Sequence, residues 1–307
     1  MTMSSRRPKR TLAALLALSL IGAGARAAEI KTYLSLGDSL AFGYTDPAHL
    51  APSTGDQGYV RPYADYLASR SNGVRPRVVN LGIAGETTDS YFAGGKPGTG
   101  LNLNYPSPTT SQHSQLLATL AAERAAGREI SDVTVALGAN DLFALTTNPG
   151  FLALPYDAQQ AQLQQTLGTL QGRYSSLLTD LRFHLPRANL ALVGLYNPFR
   201  ALPGSPLAAL AGQAIGAFNL GLAGQAAAFG GHYVDTFTPF VGHEAEYTFI
   251  RDLDLSGAPN VHPNAAGYTV IAQQIQAVPE PASVLILGAG VLGLIGLRRA
   301  RRRGAAA

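Results

Sequence analysis

Short continuous apolar runs alternate along this chain with longer stretches in which apolar residues recur every three or four positions. The runs at Ile30–Leu36, Arg77–Leu81, Val133–Leu137, Leu190–Leu195 and His232–Val234 predict strands. Most are apolar throughout rather than alternating, the pattern of strands covered on both faces. The helical stretches lie between them, at Pro62–Arg70, Ser114–Ala126, Asp157–Phe183, Leu207–Phe229 and Asn264–Ala277. In the third, Leu163, Leu167, Leu170, Tyr174, Leu177 and Leu181 repeat at spacings of four and three, a buried stripe. Asp157 and Gln160 offer a capping box at its start. Strand–helix alternation predicts a doubly wound α/β sheet, whose ligands bind at the carboxyl ends of the strands. Two stretches fit no regular element. Thr45–Tyr59 and Ala93–Ser111 are rich in Gly, Pro, Ser, Thr and Asn, and both follow a strand-end motif. Long loops at that edge usually shape a binding site.

The two ends of the chain have a different character. Arg6, Arg7, Lys9 and Arg10 precede the apolar run LAALLALSLI, and Ala25-Arg26-Ala27 closes the segment. A basic region, a short apolar core and an A-x-A end predict a signal peptide over residues 1–27; the run is too short to span a bilayer. At the other end, Pro279-Glu280-Pro281 precedes an apolar stretch at about 282–297 and then RRARRR. That stretch reads as a transmembrane segment flanked by snorkelling arginines, with the C-terminus cytoplasmic. It contains Gly288-Ala289-Gly290-Val291-Leu292-Gly293, formally G-x-G-x-x-G. No βαβ unit surrounds it, so it is not a dinucleotide site.

The terminal segments change the charge argument. The 307 residues carry 23 basic and 19 acidic side chains, a net charge of +4, yet residues 28–278 hold 13 basic and 18 acidic ones, a net −5. The basic balance belongs to the ends and does not argue for nucleic acid as a partner. With no cysteine there is neither a disulfide nor a thiolate metal site. The 250 residues at 28–277 suffice for one large domain.

Four features fall at strand or helix ends: Gly37-Asp38-Ser39-Leu40, Asn80 through Thr87, Gly138-Ala139-Asn140-Asp141 and Val261-His262-Pro263-Asn264. Together they supply the parts of acyl transfer. Ser39 is the candidate nucleophile, although a serine there also reads as a helix cap. His262 is the candidate base, held ahead of the last helix with Pro263 at its first position. Ser39 N–H, Gly85 N–H and the Asn140 amide are candidate oxyanion donors. Asp38 and Asp141 read as organisers of their own turns. His49, His113, His184, His232 and His243 show no metal-ligand spacing and read as surface or hydrogen-bonded side chains.

GDSL, N-x-x-x-x-G, G-x-N-D and H-P-N, in this order over residues 33–276, resemble the SGNH (GDSL) hydrolases. The resemblance implies a flavodoxin-like three-layer α/β/α sandwich with a mostly parallel five-stranded sheet. It implies an esterase or lipase that uses an acyl-serine and needs no cofactor or metal. Ser39 would be nucleophile and first oxyanion donor, Gly85 and Asn140 the other donors, and His262 the base. The family's aspartate three residues before the histidine is replaced by Pro259, which leaves Asp254 as candidate acid or a backbone carbonyl in its place. Residues 278–303 resemble the PEP-CTERM sorting tail. That implies Sec export across the inner membrane of a Gram-negative bacterium, an exosortase partner and membrane contact before processing, with a periplasmic, cell-surface or extracellular destination. Two other readings follow: a carbohydrate O-deacetylase acting on exopolysaccharide, and a catalytically weak surface-binding protein, the latter motivated by the missing aspartate.

Overall fold

The computed structural model describes residues 30–45, 56–95, 104, 110–202, 204–254 and 257–277. The expected signal peptide and C-terminal transmembrane segment lie outside the described residues, as do most of the two expected loops.

Five strands, β1 (Thr32–Gly37), β2 (Arg77–Asn80), β3 (Ile130–Ala136), β4 (Asn189–Val193) and β5 (His232–Val234), form one sheet. All neighbours are parallel, in the order β2-β1-β3-β4-β5. This is the flavodoxin-like order with its switch point between β1 and β3. Every residue of β1 is buried, which accounts for its unbroken apolar run. All five expected strands and all five expected helices are present, with ends displaced by at most three residues.

The helices are α1 (Ser39–Phe42), α2 (Val60–Arg70), α3 (Thr88–Ala93), α4 (Gln112–Ala125), α5 (Ala139–Thr146), α6 (Pro149–Leu152), α7 (Tyr156–His184), α8 (Pro206–Ala228), α9 (Phe237–Phe240), α10 (Glu244–Tyr247) and α11 (Ala265–Gln276). A 3-10 turn at Pro198–Ala201 follows β4. Helix α2 packs on α11, while α7 packs on α8 and α3, and α5 on α8. The stripe on α7 is buried at Leu163, Leu170, Tyr174, Leu177 and Leu181 as its periodicity predicts, with Leu167 partly so. The capping box does not form: the cap is Pro155, without a side-chain bond. Asp157 instead sits in the first turn, where its charge favours the helix dipole. Helix α8 is apolar enough to cross a membrane, but it packs against α7, β4 and β5 as a core helix.

Candidate active site

Register places the site. Gly37 at the end of β1 stands beside Ala136 at the end of β3. Ser39, two residues past β1, and Asn140, four past β3, therefore meet over the same sheet edge. Ser35 pairs with Asn80 of β2, which delivers the following Leu81–Glu86 segment to that edge.

The turn at Ser39 is held from several sides. Gly37 has φ +137°, and a Cβ there would lie 1.9 Å from the Ala136 carbonyl oxygen, so only glycine fits. The Gln112 amide clamps the Gly37 backbone from both ends, accepting from its N–H at 2.8 Å and donating to its carbonyl at 2.9 Å. Asp38 is the cap of α1: its Oδ1 accepts from Leu40 N–H at 2.9 Å. Ser39 is the first helical residue and caps nothing. Asn80 donates from Nδ2 to the Ala41 carbonyl at 2.6 Å, bolting α1 to the end of β2. Tyr268 of α11 donates to the Tyr44 carbonyl at 2.6 Å and lies 3.4 Å from that of Ser39, so the helix after His262 is tied to the nucleophile's turn.

His262 is positioned differently from the sequence expectation. Pro263 is not the first residue of α11. The cap is Asn264, whose Oδ1 accepts from Gly267 N–H, and the helix begins at Ala265. What holds His262 is a backbone clamp, with Phe249 N–H donating to its carbonyl at 2.9 Å, and a side chain unforeseen in the sequence. Asn260 Oδ1 lies 2.7 Å from His262 Nδ1 and accepts from His262 N–H at 3.1 Å. Asn260 Nδ2 donates to the Thr45 carbonyl at 3.0 Å. These three contacts fix the orientation of the amide, because only oxygen accepts and only nitrogen donates. They also fix the imidazole: Nδ1 faces an acceptor and carries the proton, so Nε2 keeps its lone pair. The Tyr44 ring packs against the imidazole, centroids 4.3 Å apart at 57°. Asn260, two residues before the histidine, was legible only as a polar residue in a loop; Tyr44 gave no signal at all.

One cavity of about 200 Å³ is lined by Ser39, Asn140, Asp254 and His262 among others. Ser39 is 8% exposed. Its hydroxyl and its N–H make no hydrogen bond among the described residues, so both are available to a ligand. Asn140 Nδ2 donates to the Glu86 carbonyl at 2.8 Å, which orients the amide and leaves its second hydrogen free of that contact. Gly85 does not line the cavity; it stands one residue from that carbonyl, in the left-handed region at φ +80°. Asp254 lines the cavity, and Ala258 N–H donates to its Oδ1 at 3.2 Å. The described bond to His262 Nδ1 comes from Asn260.

Burial dominates the electrostatics. It pushes the His262 imidazole down to about 4, partly offset by the Asp254 charge. Asp38 is fully buried, and burial raises it to about 7, with Asp141 and Glu86 adding repulsion. Among the described residues its Oδ2 makes no hydrogen bond. Asp141 meets its own backbone N–H, and it also reaches beyond its own turn. It accepts from Thr88 N–H at 2.9 Å and from the Thr88 hydroxyl at 2.8 Å, holding the start of α3 53 residues away in sequence. Of the remaining histidines, His113 pairs with Asp180 and His243 with Glu246. His243 does not line the cavity. Among the described residues no group of three His, Cys, Asp or Glu side chains is arranged to hold a metal ion.

Residues 35–270 match the profile of the GDSL-like Lipase/Acylhydrolase family, and residues 277–303 match the PEP-CTERM protein-sorting motif. No curated protein matches the chain. Among solved structures, a lipase from a goat rumen metagenome is similar at a TM-score of 0.54 and 21% identity, covering 81% of this chain and 98% of its own. Phospholipase A1 from Streptomyces albidoflavus is similar at 0.52 and 20% identity, covering 81% and 99%. An acetyl-xylooligosaccharide esterase from Geobacillus is similar at 0.51 and 16% identity, covering 81% and 94%. At these identities the likeness speaks for the fold.

Proposed function

Because the chain belongs to the GDSL-like lipase/acylhydrolase family and is an ester-bond hydrolase, we propose that it works through an acyl-serine on Ser39, with His262 as base and Asn260 as the residue that orients it. The PEP-CTERM motif indicates exosortase-dependent export in a Gram-negative bacterium. With the N-terminal segment read as a signal peptide, the enzyme acts outside the cytoplasm on an ester substrate. The 2.7 Å contact from Asn260 to Nδ1 carries the reading, because it leaves Nε2 ready to take a proton.

The Ser39 hydroxyl passes its proton to His262 Nε2 as Oγ bonds to the ester carbonyl carbon. The carbonyl oxygen becomes an oxyanion. Ser39 N–H and Asn140 Nδ2 stabilise it, joined by Gly85 N–H, which no described hydrogen bond engages. The tetrahedral intermediate collapses by breaking the bond to the alcohol oxygen, which takes the proton from Nε2. Water then gives a proton to Nε2 and attacks the acyl-serine; collapse returns the proton to Oγ and frees the acid. Throughout, the Asn260 carbonyl accepts from Nδ1–H. It fixes ring and tautomer as an aspartate would, but it adds no negative charge to stabilise the imidazolium. Asp254 supplies negative charge nearby.

The test is turnover of p-nitrophenyl butyrate by Ser39→Ala, together with mass spectrometry after a fluorophosphonate probe. Loss of turnover and a single adduct on Ser39 of the native enzyme are expected. Normal turnover by the variant overturns the proposal.

A further inference from the structure

The cavity beside Ser39 is far larger than an acetyl group needs, and its walls are unlike a sugar site. Helix α5 contributes Leu142 and Phe143, and α8 contributes Ala211, Ala214 and Ile215, one face at helical spacing. Phe199, from the turn after β4, lines the cavity too and stacks on Phe143, centroids 6.2 Å apart at 8°. Polar groups on these walls are already used. The Thr146 hydroxyl donates to the Leu142 carbonyl at 2.9 Å, and the Tyr196 hydroxyl to the Val261 carbonyl at 2.7 Å. A carbohydrate laid against these walls would leave hydroxyls without partners there, at a cost that an alkyl chain does not incur.

The two halves of an ester leave the reaction centre in different directions. His262 protonates the departing alcohol oxygen, so the alcohol lies on the side of the loop that carries Pro259, Val261 and His262. Pro259 and Val261 line the same cavity on that side, but most of its apolar wall comes from the helix that carries Asn140, from α8 and from the turn after β4. Resting on the hydrolase reading above, we propose that this cavity takes the hydrocarbon chain of the acyl group, and that Ala211 and Ala214 set how long that chain can be. A volume of about 200 Å³ at about 30 Å³ for each water-sized group holds roughly six to eight carbons. The substrate class is therefore aliphatic carboxylic esters of medium chain length, not acetylated polysaccharide.

The experiment measures kcat/KM for p-nitrophenyl esters from acetate to palmitate, for ethyl hexanoate against hexyl acetate, and for acetylated xylan. Each added methylene is expected to raise kcat/KM by up to about fourfold, to an optimum near six to eight carbons, with ethyl hexanoate preferred over hexyl acetate. Ala214→Leu should lower the octanoate-to-acetate ratio at least tenfold. Phe143→Ala, at a 40% exposed rim position, should move the optimum to longer chains. Ratios taken on one preparation are unaffected by any loss of folded enzyme. Acetate or acetylated xylan as best substrate, a preference that follows the alcohol chain, or a ratio unmoved in both variants overturns the acyl-chain assignment. Those outcomes leave the hydrolase intact as long as Ser39→Ala is dead. Activity surviving in Ser39→Ala overturns the parent reading instead.

Discussion

Asn260 Oδ1 sits 2.7 Å from His262 Nδ1, and the same oxygen accepts the His262 backbone N–H. A neutral amide thus occupies the place beside the imidazole where a carboxylate would sit. Asn260→Ala removes the acceptor and frees the ring, and is expected to lower kcat roughly 10- to 100-fold with KM little changed. Asn260→Asp restores an acceptor and adds charge, at the cost of the bond to the Thr45 carbonyl. It should recover more kcat than the alanine variant and move the acidic limb of the pH profile upward, because a neighbouring anion favours imidazolium. Steady-state kinetics across pH checks both; equal profiles for the two variants sink the assignment.

The pH dependence of the native enzyme has a definite sign. Burial pushes His262 from its ordinary 6.5 to about 4. Nε2 must be unprotonated to act as base, so kcat/KM is expected to hold through mildly acidic pH and fall with a midpoint near 4. The same shift acts on folding. Between 6.5 and about 4 the unfolded chain binds more protons at this group, so its stabilising contribution is present above 6.5 and is lost as pH falls through 4. A rate profile recorded with a parallel fluorescence measure of folding separates the two effects, and a rate midpoint at or above 6.5 contradicts the geometry.

Asn140 donates to the Glu86 carbonyl at 2.8 Å and faces the cavity. Asn140→Ala removes one oxyanion donor and is expected to cost roughly 10²- to 10³-fold in kcat, without a matching loss of adduct formation at Ser39 on long incubation with the probe. A loss under tenfold would take Asn140 out of the oxyanion set.

Asp38 is a buried carboxyl raised from 3.8 to about 7, with one oxygen capping α1 and the other making no hydrogen bond among the described residues. The folded state therefore holds a proton there that the unfolded chain releases. Stability from this group is fully present below 3.8 and is lost as pH rises through 7. Asp38→Asn keeps a good cap and cannot ionise. Its melting temperature relative to wild type should rise between pH 4 and 8, by an amount equivalent to about 1–4 kcal/mol. A difference that is flat with pH rules this out.

Gln112 is fully buried and makes two hydrogen bonds to Gly37. Gln112→Ala leaves the Gly37 N–H unpaired in a buried turn and removes one of the two donors to its carbonyl, which Ile83 N–H still serves at 3.1 Å, and about 1–3 kcal/mol of destabilisation is expected. Chemical denaturation measures it, and a change under about 0.5 kcal/mol would show that water replaces the amide.

What could be read in the chain was periodicity and order. The apolar runs and the α7 stripe determined a parallel sheet with flanking helices, because burial on two faces and helical spacing leave direct marks on composition. The order of GDSL, N-x-x-x-x-G, G-x-N-D and H-P-N named Ser39, Asn140 and His262; the sheet register brings the first two together, and the loop before α11 adds His262 to the same cavity. Gly85 stands only near it. Contacts between residues distant in sequence left no such mark. Asp141 reads as a local turn residue until it is seen holding Thr88, and Gln112 reads as an ordinary helix start until it is seen gripping Gly37. The sequence offered Asp254 or a backbone carbonyl as the orienting partner of His262, since the position where the pattern expects a carboxylate holds Pro259. Tertiary structure decided for Asn260, because a backbone bend returns its amide to Nδ1 while Thr45, 215 positions away in sequence, fixes which atom faces the ring.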